Sequence, residues 1–222
     1  MDQLSVWAQA CVNHVQAHAQ KHLMPAGVAG VGMLFGLFLV YGGVFAGIFI
    51  GEAAGLDEGL SVLLMFGFMS VATFFFVLCM SVGMFAYIRY TASLERGIAA
   101  ESLLPSISDV LTLIGMNIII VSVTLLGTAL CVIPGMIAGI AMSLSFVSHA
   151  IDGGGAIQNI RRSVEIFRAR PLEVGLFIFL AQTVAGAVGS LPCVGLFLIL
   201  PFITICYTVG WLTITEGENP LV

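Results

Sequence analysis

Long apolar runs divided by short charged segments set the pattern of this chain. No Asp, Glu, Lys or Arg occurs in residues 26–51 or 59–88, and Glu52, Asp57 and Glu58 fall between the two runs. Each run exceeds the roughly 20 residues that carry an α-helix across about 30 Å of hydrocarbon. The second is longer than needed, which predicts tilt or projection beyond the bilayer. Two further uncharged blocks, 110–151 and 174–215, are each too long for a single crossing. Proline lacks the backbone donor and disfavours helix in the residue before it, so Pro134-Gly135 is expected to divide the first block and Pro192 the second. The pattern predicts an all-α fold, a polytopic transmembrane bundle of about six helices arranged as three hairpins. The spans fall near 26–51, 59–88, 110–133, 135–151, 174–191 and 194–215, and residues 1–25 form a cytoplasmic amphipathic segment of this single membrane domain.

The basic residues orient these spans. Lys21 precedes the first, Arg89 and Arg96 follow the second, and Arg161, Arg162, Arg168 and Arg170 lie between the fourth and fifth. With both termini cytoplasmic, all of them share the cytoplasmic side, as Lys and Arg do in loops of inner-membrane proteins. The first 22 residues, which include Asp2, Asn13 and Lys21, lack the apolar core of a cleavable signal.

Composition agrees with the pattern. The chain has 222 residues, of which 59% are hydrophobic and 9% charged. A soluble domain carries about 25% charged residues, so this chain is built to be covered by lipid. A formal charge of -5 leaves no basic face for nucleic acid.

Two polar segments have helical stripes. In residues 154–170, Ile157, Ile160, Val164 and Phe167 form one apolar face, with Arg161, Arg162, Arg168 and Arg170 mostly off it. Such a helix could lie in the interface with its arginines among anionic headgroups, or serve as a connector whose arginines set topology. In the N-terminal segment Leu4, Trp7, Cys11 and Val15 form a stripe, and His14, His18 and His22 recur every four residues. Imidazoles so spaced could bind a metal, but no acidic or cysteine ligand nearby completes a set, so the expectation is a polar amphipathic helix and no metal.

Within the spans, Gly32, Gly36, Gly43, Gly47 and Gly51 line one face of the first helix. A side-chain-free face lets another backbone approach closely, either from this chain or from a partner subunit. Gly135 and Gly139 repeat the spacing in the fourth span. No Asp, Glu, Lys or Arg of the kind that marks ion-coupled transport lies in any span, although His149 lies near a span end, and the sequence has no nucleophile elbow, HExxH or Walker loop. No catalytic residue and no cofactor is expected. The related stretches GTALCV (127–132) and GSLPCV (189–194) place Cys131 and Cys193 at equivalent outer ends of two hairpins. In the oxidising space outside an inner membrane these could form a disulfide, or they could be two small apolar residues at helix ends.

Several stretches between residues 89 and 212 carry a family resemblance: Arg96-Gly97, SISDVL (106–111), VIPGMIAGIAMSLSF (132–146), DGGGAIQNIRRSVEIFR (152–168) and LPFITICYTVGW (200–211). Here the chain resembles bacterial six-helix membrane proteins related to the membrane domain of glycerophosphoryl diester phosphodiesterases. The resemblance implies the six-helix fold and carries over no active site, because the phosphodiesterase chemistry of that family lies in a separate domain. The expected function is that of a non-enzymatic bacterial inner-membrane protein, an accessory or scaffold subunit or a lipid-organising protein. Its expected partners are membrane lipids and other membrane subunits or further copies of itself. The alternative is a small transporter or channel component for an apolar or neutral solute.

Overall fold

The computed structural model describes residues 3–96, 103–190 and 194–216. Their secondary structure is entirely helical: α1 (Gln3–Ala53), α2 (Glu58–Arg96), α3 (Ile107–Leu130), α4 (Val132–Met142), α5 (Ser145–Asp152), α6 (Ala156–Ala169), α7 (Pro171–Gly189) and α8 (Val194–Glu216). Six stretches are long and apolar enough to cross a membrane: α1, α2, α3, the α4–α5 pair, α7 and α8.

α1 does not stop at the expected boundary near residue 25. It continues through Pro25 for 51 residues, about 77 Å of helix at 1.5 Å per residue. Proline at 25 removes the N–H that would bond the carbonyl of Lys21, four residues earlier. The Tyr90 hydroxyl of α2 donates to that carbonyl at 2.9 Å. The helix therefore crosses the proline with its exposed acceptor satisfied from a neighbouring element.

α2 returns antiparallel along α1 after the turn at Gly55, whose φ of 65° suits glycine. The glycine face of α1 lies against this helix: Gly36 meets Phe76, Gly43 meets Phe68 and Ala72, Gly47 meets Met65, and Gly51 meets Ser61. A Cβ at Gly47 would sit 2.5 Å from the Met65 Cα, so the two backbones touch there in the manner of apolar helices packed in lipid. Gly32 has nothing within 4 Å of its Cβ direction and stands outside this contact.

Pro134 also falls differently from expectation, and Pro192 lies outside the described residues. The break after α3 is at Cys131, whose backbone is extended, and Pro134 lies in the first turn of α4. The first-turn N–H groups have no intrahelical acceptor, so proline there starts a helix without losing a bond. α3 and α4 then cross closely at Gly127 and Gly135, where a Cβ on Gly127 would lie 2.8 Å from the Gly135 Cα. The fourth crossing is not one helix but two, broken at Ser143–Leu144 between α4 and α5.

α6 turns a mixed face inward. Asn159, Ser163 and Ile166 are buried, Ile160 and Phe167 pack at the edge of the core, and Ile157 is exposed. Ser163 donates to the Ala141 carbonyl at 2.7 Å and Ser148 donates to Asn159 Oδ1 at 2.8 Å. Polar bonds to α4 and α5 thus set its rotation and divide the expected apolar stripe. The main core gathers near this level, with Trp7, Phe85, Leu113, Ile178 and Trp211 fully buried. Trp7 meets the Phe177 ring edge-on at 5.5 Å. Along the other half of α1 the apolar side chains face outward; Phe38, Phe45 and Phe49 are each at least 70% exposed. A surface of this kind calls for lipid.

The α1–α2 contact yields a pair of opposite substitutions. Gly47→Leu should destabilise the protein in detergent by about 1–3 kcal/mol or more, the usual range for overpacking. Gly42→Ala, where a Cβ meets nothing within 4 Å, should be neutral or stabilise by up to about 1 kcal/mol through helix propensity. Thermal unfolding of the two variants checks this, and equal melting temperatures would contradict the packing.

Candidate functional site

Four polar side chains line up where the N-terminal part of α1 runs along the C-terminal part of α2. His14 and His22 are eight residues apart on one helix, and Tyr87 and Glu95 are eight apart on the other. Antiparallel packing sets His14 beside Glu95 and His22 beside Tyr87. His14 Nδ1 contacts Glu95 Oε1, the two histidines meet Nε2 to Nε2 at 2.9 Å, and His22 Nδ1 lies 2.8 Å from the Tyr87 hydroxyl. Both histidines are buried. His18 lies between them with its ring centroid 4.9 Å from that of His14, and its buried Nδ1 has no hydrogen-bond partner.

This row joins two cavities. At one end is a polar cleft of about 350 Å³, lined by Asn13, His14 and His18 of α1, Glu95 of α2 and Thr213 of α8. At the other is an apolar groove of about 490 Å³ between α1 and α2, with Leu104 and Leu200 at its side. α1 contributes Met24, Val28 and Gly32; α2 contributes Phe76, Met80, Gly83, Tyr87 and Tyr90. From Phe76 to Tyr90 the groove follows about 21 Å of helix. None of its described lining residues is charged, and its rim residues Met24 and Val28 are exposed.

Among the described residues no three His, Cys, Asp or Glu side chains are grouped to hold a metal ion. Nδ1 of each of the bonded pair is already engaged, by Glu95 and by Tyr87. A second polar cluster ties helix ends together. Asp109 caps α3 reciprocally with Ser106, and its carboxylate lies 3.5 Å from His149 Nε2. Arg89 donates to the Ala150 carbonyl at 3.1 Å and stacks on the Phe85 ring. A third cavity, about 720 Å³ among α3, α4 and α7, presents Thr124, Thr128, Gln182 and Thr183.

Of the residues singled out in the sequence, Gly36, Gly43, Gly47 and Gly51 serve the internal α1–α2 contact, and Gly32 lines the groove. Arg161 pairs with Glu165, Arg162 with Asp152 and Arg170 with Glu173. Arg168 is exposed and makes no ion pair among the described residues. Cys131 is exposed between α3 and α4; Cys193 lies outside the described residues. Tyr87, Tyr90 and Glu95 were not singled out, although the eight-residue spacing of Tyr87 and Glu95 matches that of His14 and His22.

The six apolar helices, their lipid-facing exterior and the buried polar row together define a multi-pass helical membrane protein. No family model, curated protein or solved structure matches the chain.

The bond that satisfies the Pro25 site can be isolated by a double-mutant cycle. Tyr90→Phe should cost about 0.5–1.5 kcal/mol, the usual net value of a hydrogen bond. Pro25→Ala restores an N–H for the Lys21 carbonyl, so in that background Tyr90→Phe should cost measurably less. Additive effects would show that the hydroxyl does not serve the proline.

Proposed function

We propose that this protein is a non-enzymatic, lipid-organising component of a bacterial inner membrane that holds an acyl chain in the groove between α1 and α2. The groove carries the reading. It is apolar along about 21 Å of helix, its rim is exposed, and it opens on an exterior that only lipid can cover. Its polar end is marked by Tyr87 and Tyr90, as tyrosines mark the edge of the hydrocarbon in many membrane proteins. The close glycine contact farther along α1 ends the groove: α2 fills the space beside Gly36, and leaves it open beside Gly32.

The chain is read as three hairpins, α1 with α2, α3 with the α4–α5 pair, and α7 with α8. The basic residues and both termini are cytoplasmic, and Cys131 lies on the outer side. The six-helix resemblance and the placement of Lys21, Arg89, Arg96 and the arginines of α6 support this orientation. In a cysteine-free background, a cysteine introduced at Asp57 should react with a membrane-impermeant thiol reagent in intact cells, and one at Arg162 should not. Labelling at Arg162 would overturn the orientation.

The groove has a direct test. At Gly32 and Gly83 an added Cβ meets no atom within 4 Å, so Gly32→Leu and Gly83→Leu should extend into the groove without a backbone clash. Native mass spectrometry of protein from mild detergent should show bound phospholipid on the parent and a several-fold loss in both variants. Unchanged lipid retention in folded variants would sink the acyl-site reading. A second reading, passage of a neutral solute, is favoured by the hydroxyl- and amide-bearing cavity among α3, α4 and α7. Solute entry into proteoliposomes that survives Gly32→Leu and is blocked by Gly139→Leu would favour it.

A further inference from the structure

An acyl chain in the groove does not account for the buried histidine pair. His14 and His22 face one another through Nε2 across 2.9 Å, and each ring is held from behind, His14 Nδ1 by the Glu95 carboxylate and His22 Nδ1 by the Tyr87 hydroxyl. We propose that His14 and His22 are the two protein ligands of a divalent transition-metal ion of square or octahedral habit, Ni²⁺ or Cu²⁺, with Glu95 and Tyr87 as the outer partners that aim their rings. The inference is independent of the acyl-site reading.

The spacing of the nitrogens points to the class of ion. Two nitrogens about 2.0–2.1 Å from one ion stand about 2.9 Å apart at a right angle and about 3.3 Å apart at the tetrahedral angle of Zn²⁺. The observed separation is that of neighbouring corners of a square or an octahedron, which suits Ni²⁺ and Cu²⁺. A metal-bound histidine ordinarily gives its other ring nitrogen to a carboxylate or another oxygen, which fixes its tautomer and orientation. Glu95 and Tyr87 stand in that place, and both come from α2, so the neighbouring helix orients a pair that α1 alone provides. Burial holds both imidazoles below their usual pKa, and neighbouring histidines help bring His22 down to about 4. Both rings are therefore neutral at neutral pH, the form that ligates a metal.

Access and charge agree with this assignment. His14 and Glu95 line the polar cleft of about 350 Å³, which has room for several waters at about 30 Å³ each. No three metal-binding side chains are grouped among the described residues, so cleft water supplies the remaining positions of the ion. Glu95, partly exposed, brings a negative charge, while the charge of adjacent Arg96 is taken up by Glu216 of α8. The ion needs both Nε2 atoms bare and both hydrogens on Nδ1, with His14 donating to Glu95 and His22 to the Tyr87 oxygen. With Glu95 ionised, the resting pair differs only in that His22 carries its hydrogen on Nε2 and accepts the Tyr87 hydroxyl at Nδ1. Loading sends that Nε2 proton to water and returns one from water to Nδ1, so no net proton is gained or lost. The Tyr87 hydroxyl hydrogen turns away from His22, and the rings turn until both lone pairs meet at the ion.

The every-fourth spacing offers a rival, chelation by His14 with His18 or by His18 with His22, and the test separates the two. The full chain, carrying no polyhistidine tag, is titrated with NiCl₂ in detergent. One Ni²⁺ should bind per chain and raise the melting temperature, as a ligand of the folded state does. Melting curves without metal first establish that each variant folds. His14→Gln and His22→Gln should each lose this binding, whereas His18→Gln and His149→Gln should bind as the parent does. Glu95→Gln should weaken binding about tenfold, the lower end for an outer partner, because its amide oxygen still accepts from His14 Nδ1. X-ray absorption of Ni²⁺ on the parent and on Glu95→Gln should show two imidazoles with oxygen in the other positions and no sulfur. Absence of saturable binding, binding that survives His14→Gln or His22→Gln, a loss in His18→Gln equal to theirs, or a spectrum with one imidazole or with sulfur would each overturn the site. Zn²⁺ bound more tightly than Ni²⁺ would overturn the assignment to a square or octahedral ion.

Discussion

Backbone contact between α1 and α2 sets the geometry on which the other features depend. Lipid offers apolar helices no hydrophobic reason to associate, so close approach must come from shape and from polar bonds. Gly36, Gly43, Gly47 and Gly51 remove the side chains that would hold the helices apart, and Phe68, Met65 and Ser61 occupy the space. This fixes the register of the antiparallel pair. The same register, carried past Pro25, brings His14 to Glu95 and His22 to Tyr87. Between these two zones of contact, where neither glycine packing nor polar bonding closes the interface, the helices leave a groove.

Polar groups in a dry environment have to find partners within the protein. Many hydroxyls bond a carbonyl of their own helix, and several partners come from a different helix. Tyr90 replaces the donor that Pro25 lacks, Ser163 reaches a carbonyl beside the α4–α5 break, and Asn117 donates to Ser81 between α3 and α2 at 2.9 Å. The first two bonds serve places where a helix is interrupted or ends, and the third ties α3 to α2 along their length. The proline, the break and the histidine row are accordingly fixed by their neighbours as much as by their own sequence. This explains how α1 can remain one helix across a residue that ordinarily ends one.

The positions of the apolar spans were legible in the sequence because charge is excluded from them and basic residues collect between them. The glycine face of α1 was equally plain from its spacing. Other features were hidden because their causes are tertiary. Pro134 read as a break, yet it opens α4, since only the position relative to the helix start decides whether its missing donor matters. The α6 stripe predicted one apolar face, whereas bonds made by Asn159 and Ser163 rotate the helix. The histidines were visible as an every-fourth pattern, but their meaning depends on Tyr87 and Glu95, which lie on a helix whose register the sequence does not print. The groove is an absence of side chains between two helices and leaves only Gly32 and Gly83 as its trace.

The central claim is that one segment of the lipid-covered exterior, the α1–α2 groove, holds an acyl chain in place while the rest of the surface only borders on lipid. Photocrosslinking with a phospholipid bearing a diazirine on its acyl chain, followed by peptide mapping, tests this directly. The account predicts adducts concentrated on residues 24–32 and 76–90, with far fewer on exposed Phe38, Phe49 and Leu130. Adducts spread in proportion to exposure, with no excess in the groove, would contradict it.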